Sequence, residues 1–382
     1  MDQKSHAFEE KVQALGDVEL AALLCLVTEQ HCIIEVDDAA VDGLVQELCL
    51  ISDSTFGLPS AVLECSERTS LDDFGNAILV NDPDNECHSP QNLAKDAFSY
   101  FNADAPKGIY RSPSPASSRP IDNRKIANVV IAKNLNLAHT QVQIQALELI
   151  RGRRIFTRTA VHVVPKRFLL IAVLSASSTA ALDPHLNDQF FISHFHSHSD
   201  DLPKLYEKQN DAFDDDASSE SSVVRASFSM PVPDIKVPGR IGSATTGKGR
   251  NPEFTKEDID AIIAASRAVR LTAEVRAYIH NVVVFMRLHR AVAGGVTAAA
   301  TRHLHLLVRA LAPLHGLDFL TPSLVALAVR KVYPHRLVLV RPEDERSLQW
   351  GSQEEAVRRA VEGIGGVEDV LEEVLQRVDV PV

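Results

Sequence analysis

Residues 126–132 read IANVVIA and residues 168–173 read FLLIAV. Both are short, continuous apolar runs, which is the pattern of strands that are buried on both faces of a parallel sheet. Between them, residues 140–150 carry apolar side chains at helical spacing, with Val142 and Ala146 on one face. Strands that alternate with helices in this way predict an α/β domain built on a parallel sheet.

The region before this stretch continues the same alternation. Residues 31–36 (HCIIEV) and 61–65 (AVLEC) are predicted strands, and residues 41–51 are a predicted helix between them. Asp37 and Asp38 separate the first strand from that helix and are candidate cap residues. We expect these two strands to join the same sheet.

Two polar stretches interrupt the pattern. Residues 82–124 are dominated by Pro, Ser, Asn and Asp, which predicts a disordered insertion within an α/β core of residues 1–198. Residues 199–252 contain an acidic run at 211–220 followed by Pro and Ser, and we predict a disordered linker there. Inside the core, residues 154–164 favour a β-hairpin.

Beyond the linker the sequence becomes helical. Residues 253–345 repeat apolar side chains at helical spacing, and Thr321-Pro322 is typical of a helix start. Residues 346–382 predict a helical tail that glycines interrupt. The second half of the chain is therefore expected to be an all-α domain followed by this tail.

Composition restricts the class of protein. The chain has 382 residues, with 39 Lys and Arg against 51 Asp and Glu, a net charge of -12. This balance argues against a nucleic-acid-binding role, because phosphate binding depends on clustered cations. The cysteines show no CxxC spacing, and the apolar runs are too short to span a bilayer. With no apolar signal segment in the first residues, we expect a soluble intracellular protein of the cytoplasm or nucleus, without a membrane partner.

Short motifs follow one another in a particular order through residues 126–191. They are NVVI at 128–131, Asn136, QVQ at 141–143, PKRFLLIA at 165–172 and LDPHLNDQF at 182–190. The order resembles that of the MoxR and magnesium-chelatase-subunit-I branch of the AAA+ ATPases. The family's order is an acidic strand, an Asn-rich turn, a helix, a sensor strand and a segment that ends in aspartate-arginine-phenylalanine.

The helical region resembles the same family more specifically. Its motifs are Gly294-Gly295, a helix at 306–312, HGLDF at 315–319, Thr321-Pro322 and VYPHR at 332–336. In the family, small residues precede an arginine-bearing helix. That helix is followed by a threonine-proline step and then by a closing histidine-arginine pair. The two similar stretches together cover about half of the chain.

The resemblance implies a fold and a task. The fold is an AAA+, P-loop NTPase-like parallel-sheet core followed by an all-α lid domain, and residues 16–80 would be the nucleotide-binding start of that core. Family members hold ATP between core and lid. They act as ring hexamers that remodel partners, or that drive metal insertion into a porphyrin through a partner subunit. The resemblance therefore implies a protein partner, or assembly into a homo- or hetero-oligomeric AAA+ ring.

The position of the phosphate-binding loop lacks the expected chemistry. Such a loop needs glycines whose N–H groups surround phosphates, a lysine for the outer phosphates and a Ser or Thr for magnesium. The loop should follow the first strand, where residues 37–43 read DDAAVDG, with three carboxylates and no lysine. Acids in a partly desolvated site repel a triphosphate by several kcal/mol. Asp38 and Gly43 remain weak candidates for nucleotide contact.

Other positions that the resemblance assigns to catalysis have also changed. The acidic strand should end in Asp-Glu but ends in Ala132 and Lys133. Ser175 keeps the hydroxyl of the sensor strand, whereas the arginine finger falls on Gln189 and the lid sensor arginine on Ala299. We interpret Lys133 as a surface lysine. The alternative is that its ammonium replaces part of the charge of the missing metal ion.

Two features leave an active enzyme open as an alternative. Arg302 lies one turn beyond Ala299 and is either a replacement sensor or an exposed helix arginine. Residues 242–249 (GSATTGKG) match the phosphate-loop spacing through Lys248, but Gly249 stands where Ser or Thr is needed. We favour a flexible basic loop for that stretch, because proline-rich sequence precedes it instead of a strand.

A group of histidines is the candidate metal site. His194, His196 and His198 alternate along a predicted strand and so share one side, which suits zinc or nickel. No later residues complete the site with a fixed spacing, so a specific metal site is the less favoured interpretation. His303 and His305 are interpreted as surface groups on the lid helix.

Taken together, the changed positions argue for a pseudo-ATPase. The lysine, the acidic pair, the arginine finger and the primary sensor arginine are lost on a retained fold pattern. We therefore expect an interaction or regulatory module with no bound cofactor. The alternative is an active ATPase of the magnesium-chelatase or MoxR type, with ATP and magnesium as cofactors and with displaced catalytic residues.

Overall fold

The computed structural model describes residues 11–81, 124–158, 160–197, 202–205 and 252–381. The elements of the first half are α1 (Asp17–Thr28), β1 (Cys32–Val36), α2 (Val41–Leu50), β2 (Ser60–Glu64), α3 (Leu71–Ala77), β3 (Leu79–Val80), β4 (Lys125–Ile126), β5 (Val129–Lys133), α4 (Thr140–Gly152), β6 (Arg154–Phe156), β7 (Val161–Val163), β8 (Leu169–Ser175), α5 (Pro184–Asn187) and β9 (Ile192–His196). Those of the second half are α6 (Lys256–Ala268), α7 (Ala273–Leu288), β10 (Val292–Gly294), α8 (Ala298–Leu314), α9 (Pro322–Val332), β11 (Val338–Leu339), α10 (Glu354–Glu362) and α11 (Val367–Arg377). Strands and helices alternate as far as β9, and helices dominate beyond it.

Among the described residues, five parallel strands form the central sheet in the order β2-β5-β8-β1-β9. β1 lies inside the sheet, because it pairs with β8 on one side and with β9 on the other. The carboxyl ends of parallel strands meet at one edge, where ligands of open α/β sheets bind. That edge carries the last residues of the strands, which are Val36, Glu64, Lys133, Ser175 and His196.

The sheet is buried on both faces, as the apolar runs predict. On β5, Val129 and Ile131 belong to one hydrophobic cluster, whereas Val130 and Ala132 belong to another. Successive side chains of a strand point to opposite faces, so a continuous apolar run suits a strand that is covered on both sides. The prediction of a parallel α/β sheet is confirmed.

Short antiparallel pairs lie beside the sheet. β3 pairs with β4, so the chain on either side of residues 82–123 comes together at Val80 and Lys125. The predicted hairpin is formed by β6 and β7, which pair through Ile155 and His162. The run predicted as one strand is divided between β4 and β5, because the chain changes its partner there from β3 to β2.

The lid consists of α6, α7, α8 and α9, and α8 packs against both α6 and α9. Each of these helices is preceded by a threonine whose hydroxyl oxygen accepts a hydrogen bond from a backbone N–H of the first turn. The threonines are Thr255, Thr272, Thr297 and Thr321. Such caps satisfy N–H groups that have no partner inside the helix.

The core and the lid share one hydrophobic cluster. α1 packs against β1, β8 and β9 of the sheet and also against α6 and α8 of the lid. Its residues Leu23 and Cys25 are fully buried in the cluster that includes Leu304 and Leu307 of α8. In the tail, α11 packs against α7 and α9.

The predicted insertion and linker lie largely outside the described residues. Of the insertion, residues 82–123 are outside, and of the linker, residues 199–201 and 206–251 are outside. Residues 203–205, within the predicted linker, form a single helical turn that contacts α2. Across the described ranges, no helix has the length and apolar character needed to cross a membrane.

Candidate functional site

The turn between β1 and α2 occupies the place of a phosphate-binding loop. β1 ends at Val36, residues Asp38–Ala40 form a 3₁₀ turn, and α2 begins at Val41. A helix N-terminus that follows a strand of a parallel sheet is a ready site for phosphate, because its first N–H groups have no partner in the helix. The structure therefore puts residues 37–43 at the sheet edge where a nucleotide would be sought.

Asp38 is held by hydroxyl groups from the end of β8. Ser175 and Ser177 each donate a hydrogen bond to its carboxylate. These bonds favour the ionised carboxylate, so they lower the pKa of Asp38. The side chain was expected to cap α2 but bonds to β8 instead, and the predicted sensor hydroxyl of Ser175 is directed at this acid.

Lys133 joins three elements of the site. Its Nζ lies 2.5 Å from Oδ1 of Asp42 in α2 and 3.3 Å from Oε1 of Glu64 at the end of β2. The hydrogen bond that Lys133 donates to Asp42 is the main reason that the pKa of Lys133 is raised, so the ammonium stays charged. Only 17% of the lysine side chain is exposed, and the interpretation of a surface lysine is wrong.

The charges of this site are the reverse of those that phosphate and magnesium require. The turn after β1 contributes the carboxylates of Asp38 and Asp42, while β5 contributes an ammonium and the neighbouring methyl group of Ala132. The cation neutralises protein carboxylates, with Glu64 directly opposite it across β2 and β5. This arrangement stabilises the ends of adjacent elements and leaves no pair of acids at β5 to hold a metal ion.

Gly43 lies under the segment that follows β9. A methyl group at this glycine would be 3.3 Å from Cδ1 of Leu202. One turn further along α2, the carboxylate of Glu47 accepts hydrogen bonds from the backbone N–H groups of Lys204 at 2.9 Å and Leu205 at 2.7 Å. Burial raises the pKa of Glu47. The first turns of α2 are thus covered by the chain itself on this side.

Gln189 lies in a turn that fastens the core to the lid. Beside it, Oδ1 of Asp188 accepts a hydrogen bond from Oγ1 of Thr297 at 2.6 Å and lies 3.5 Å from Nε of Arg336. Arg336 also donates a hydrogen bond to the carbonyl oxygen of Phe190. Gln189 itself is half-buried and uncharged. The segment predicted to carry an arginine finger is therefore part of an internal contact.

Arg336 is one of the most buried charges of the described residues, with 1% of its side chain exposed. Burial lowers its pKa to about 10, so it remains protonated at neutral pH. The ring of His303 lies 2.6 Å from it, and burial followed by the arginine lowers the pKa of that histidine to about 3. The interpretation of His303 as a surface group is wrong, because it is a buried neutral neighbour of Arg336. The sequence signal for the buried pair of Arg336 and His303 was the histidine-arginine motif that closes the lid, of which Arg336 is the arginine.

The lid positions 299 and 302 lie near the start of α8. Ala299 is buried in the first turn of α8. Arg302 is exposed on α8, and within the part of the chain that the structure describes no hydrogen bond or ion pair joins it to residues 37–43. Lys248, the other candidate for a displaced catalytic group, lies outside the described residues.

The histidines of β9 lie side by side. The rings of His194 and His196 are 6.4 Å apart between centroids, and Nδ1 of His194 is 3.3 Å from Nζ of Lys331. His198 lies outside the described residues. In the ranges that are described, no group of three or more His, Cys, Asp or Glu could hold a metal ion. The three-histidine site thus stays a prediction.

The fold is a parallel α/β core joined to an all-α lid. Residues 284–360 match the AAA lid domain family. A solved structure of a proposed ATPase from Cytophaga hutchinsonii superimposes with a TM-score of 0.61 and 13% identity, over 100% of this chain and 98% of that chain. At this identity the likeness concerns the fold alone. The fold class is an AAA+ core followed by a helical lid, and both findings support an AAA+ protein.

Two curated relatives are similar over a shorter stretch. Both are named Maintenance of telomere capping protein 2. The protein from Kluyveromyces lactis is 30% identical over 105 residues, which are 26% of this chain and 38% of that protein. The protein from Lachancea thermotolerans is 28% identical over 118 residues, which are 30% of this chain and 41% of that protein. The chain thus spans about two fifths of the length of the curated relatives that it matches.

Proposed function

We propose that this chain is a degenerate AAA+ protein of the MoxR and magnesium-chelatase-like type, which acts as an interaction or regulatory module and does not hydrolyse ATP. The observation that carries the proposal is the binding of Lys133 by Asp42 and Glu64. A cation at the end of β5 neutralises the protein's own carboxylates at the place where acids would hold magnesium. The ammonium of Lys133 is therefore paired within the chain itself, by two carboxylates that face solvent.

Magnesium-ATP does not fit the charges of the β1–α2 turn. A triphosphate near the start of α2 would meet Asp38, whose carboxylate stays ionised because hydroxyl groups bind it. Like charges repel, so the turn after β1 disfavours the phosphates. Lys133 would have to give up its bonds to Asp42 and Glu64 to offset this repulsion.

The cations that would stabilise phosphoryl transfer are also missing from the positions that the resemblance assigns. Gln189 is uncharged and lies in the contact between core and lid, and Ala299 is buried. Arg302 is charged but exposed on α8. Because phosphoryl transfer depends on such charges for most of its acceleration, we expect no hydrolysis above the background rate.

We propose that the partner is a protein, either of another kind or an AAA+ chain in a homo- or hetero-oligomeric ring, and not a nucleic acid. The hydrophobic cluster shared by α1, the sheet and the lid supports a module of fixed shape. Such a module offers a surface for binding without a nucleotide cycle. Maintenance of telomere capping, the process named for the two relatives, is where we propose to search for this partner.

Thermal melting with and without magnesium-ATP tests the proposal. A ligand present at about 100 times its Kd stabilises the folded state by about 2.7 kcal/mol, which raises the melting midpoint by about 3–5 °C in a chain of this size. We expect no change in the midpoint and no release of phosphate. A rise that disappears in Arg302→Ala or Lys248→Ala would show displaced catalytic residues and would replace the proposal with the active ATPase.

A further inference from the structure

The lid carries a groove with cationic walls on its outer side. We call it the lid groove, and it lies between α7 and α8 with a cavity volume of about 570 Å³. Its lining residues are Leu271, Ala273, Arg276, Ala277, His280 and His305. Positions 273, 276, 277 and 280 share one face of α7, because residues three and four apart are neighbours on a helix. The groove therefore combines a floor of small apolar side chains with basic groups.

α8 adds two arginines beside the groove. Arg302 and Arg309 lie at helical spacing from His305, which lines the groove together with Arg276, and the sequence of α8 contains neither Asp nor Glu. Burial lowers the pKa of His305, and the charges of Arg309 and Arg276 lower it further, so this histidine is neutral and the arginines carry the charge. The positive charge thus extends from α7 to α8 across the lid groove.

Among the residues that the structure describes, no carboxylate forms an ion pair with the arginines of this patch. In the tail, by contrast, Arg358 forms an ion pair with Glu354 one turn away at 3.1 Å. Within the described residues, Arg276, Arg302 and Arg309 have no such pair, and Nε of Arg309 is buried without a hydrogen-bond partner there. The chain as a whole has a net charge of -12, so these arginines form a local positive patch on an acidic protein. Such a patch suits an anionic group.

We propose that the lid groove binds an acidic, amphipathic segment of a partner protein. Carboxylates of that segment would pair with Arg276, Arg302 and Arg309, and an apolar side chain would rest on Leu271 and the alanines of α7. A protein segment fits better than a nucleic acid, because the apolar floor would be unused by a phosphate backbone and the net charge of the chain repels a long polyanion. This inference rests on the proposed function as an interaction module and names its surface.

Fluorescence anisotropy with a labelled peptide tests the inference on the full chain. The probe is a peptide of alternating glutamate pairs and leucines, and its comparison is the same peptide with serine in place of leucine. We expect Arg276→Gln/Arg309→Gln to weaken binding of the leucine peptide about tenfold or more, because each lost partner leaves a carboxylate unpaired. The matched control Arg341→Gln/Arg346→Gln removes the same charge from exposed positions elsewhere and should bind as the unaltered chain does.

Three outcomes would overturn the inference. The first is equal binding by the groove variant and the control variant. The second is equal affinity for the leucine and serine peptides, which would leave the apolar floor without a role. The third is tighter binding of single-stranded DNA of the same charge through Arg276 and Arg309. Melting midpoints of both variants confirm folding, and the magnesium-ATP experiment tests the proposed function separately, since it does not involve the lid groove.

Discussion

Removal of the Asp188 side chain should loosen the contact between the core and the lid. Its carboxylate lies 3.5 Å from Nε of Arg336, a guanidinium with 1% of its side chain exposed. It also accepts the hydroxyl hydrogen bond of Thr297 at 2.6 Å. Asp188→Ala leaves a buried cation without its counter-charge and a helix-capping threonine without one partner. The loss should therefore exceed that of an ordinary surface ion pair.

The magnitude follows from burial and distance. At an effective dielectric constant of about 20, two charges about 3.5 Å apart interact by about 5 kcal/mol. Because 24% of the Asp188 side chain is exposed, solvent weakens the attraction, and the carbonyl groups around Arg336 still accept its hydrogen bonds. Removal of one partner of a buried pair costs about 3–5 kcal/mol. We expect about 3 kcal/mol of lost stability, or a fall of about 4–5 °C in the melting midpoint.

Urea unfolding followed by circular dichroism measures this loss. The matched control is Asp318→Ala, which breaks a pair with Arg270 of 2.7 Å whose side chains are 74% and 72% exposed. Such exposed pairs contribute about 0–1 kcal/mol, so the control should be nearly neutral. In Asp188→Ala/Arg336→Met the uncompensated charge is gone, and we expect the double variant to lose less than the sum of the single losses.

A loss in Asp188→Ala no larger than that of the control would contradict a stabilising contact between Asp188 and Arg336. The contact would also be contradicted if the two single losses and the double loss were additive within about 0.5 kcal/mol, since residues that interact directly should couple. Either result would mean that Arg336 is stabilised by carbonyl oxygens alone.

Two further predictions concern stability. Gly295 has φ +98°, and a Cβ there would collide with the carbonyl oxygen of Arg336, so Gly295→Ala should lower the free energy of unfolding by about 2 kcal/mol or more. The control Gly294→Ala has open space around the added methyl group and should cost about 1 kcal/mol or less. Equal losses for the two variants in urea unfolding would contradict this prediction. His31 is fully buried and accepts a hydrogen bond from the N–H of Leu170, and burial lowers its pKa from 6.5 to about 3. Unfolding between those pH values takes up a proton, so stability should fall by about 1.4 kcal/mol per pH unit for this group as the pH drops below 6.5. His31→Asn removes that contribution, and an unchanged pH slope in urea unfolding would refute it.

Much of the fold could be predicted because its signals lie within single elements. The continuous apolar runs around Val130 and Ile171 indicate strands covered on both faces, and both strands lie inside the sheet. Thr321-Pro322 predicts the start of α9, which begins at that proline. In each case the periodicity or the cap chemistry depends on neighbours a few positions away, so one sequence is sufficient.

The interior of the candidate site could not be predicted in the same way. Lys133 and Asp42 are 91 positions apart, and only the order of β2, β5 and β8 brings the end of β5 to the start of α2. The burial of His303 against Arg336 likewise depends on how α8 meets the end of α9. The cover of Gly43 by Leu202 lies in a stretch whose composition predicted a linker. The spacing of apolar residues along a helix indicates which face of the helix is buried. It does not indicate which distant charged residue that face contacts in the fold.

In the proposed pseudo-ATPase, the protein's own charges pair with one another where a triphosphate would otherwise bind. Titration calorimetry of the full chain with magnesium-ATP, up to about 1 mM and at low salt, measures this most directly, because a Kd of about 10 µM would saturate the site and add about 2.7 kcal/mol of stability. We predict no saturable heat for the chain. One-to-one binding of magnesium-ATP to the unaltered chain with a micromolar Kd would contradict this prediction.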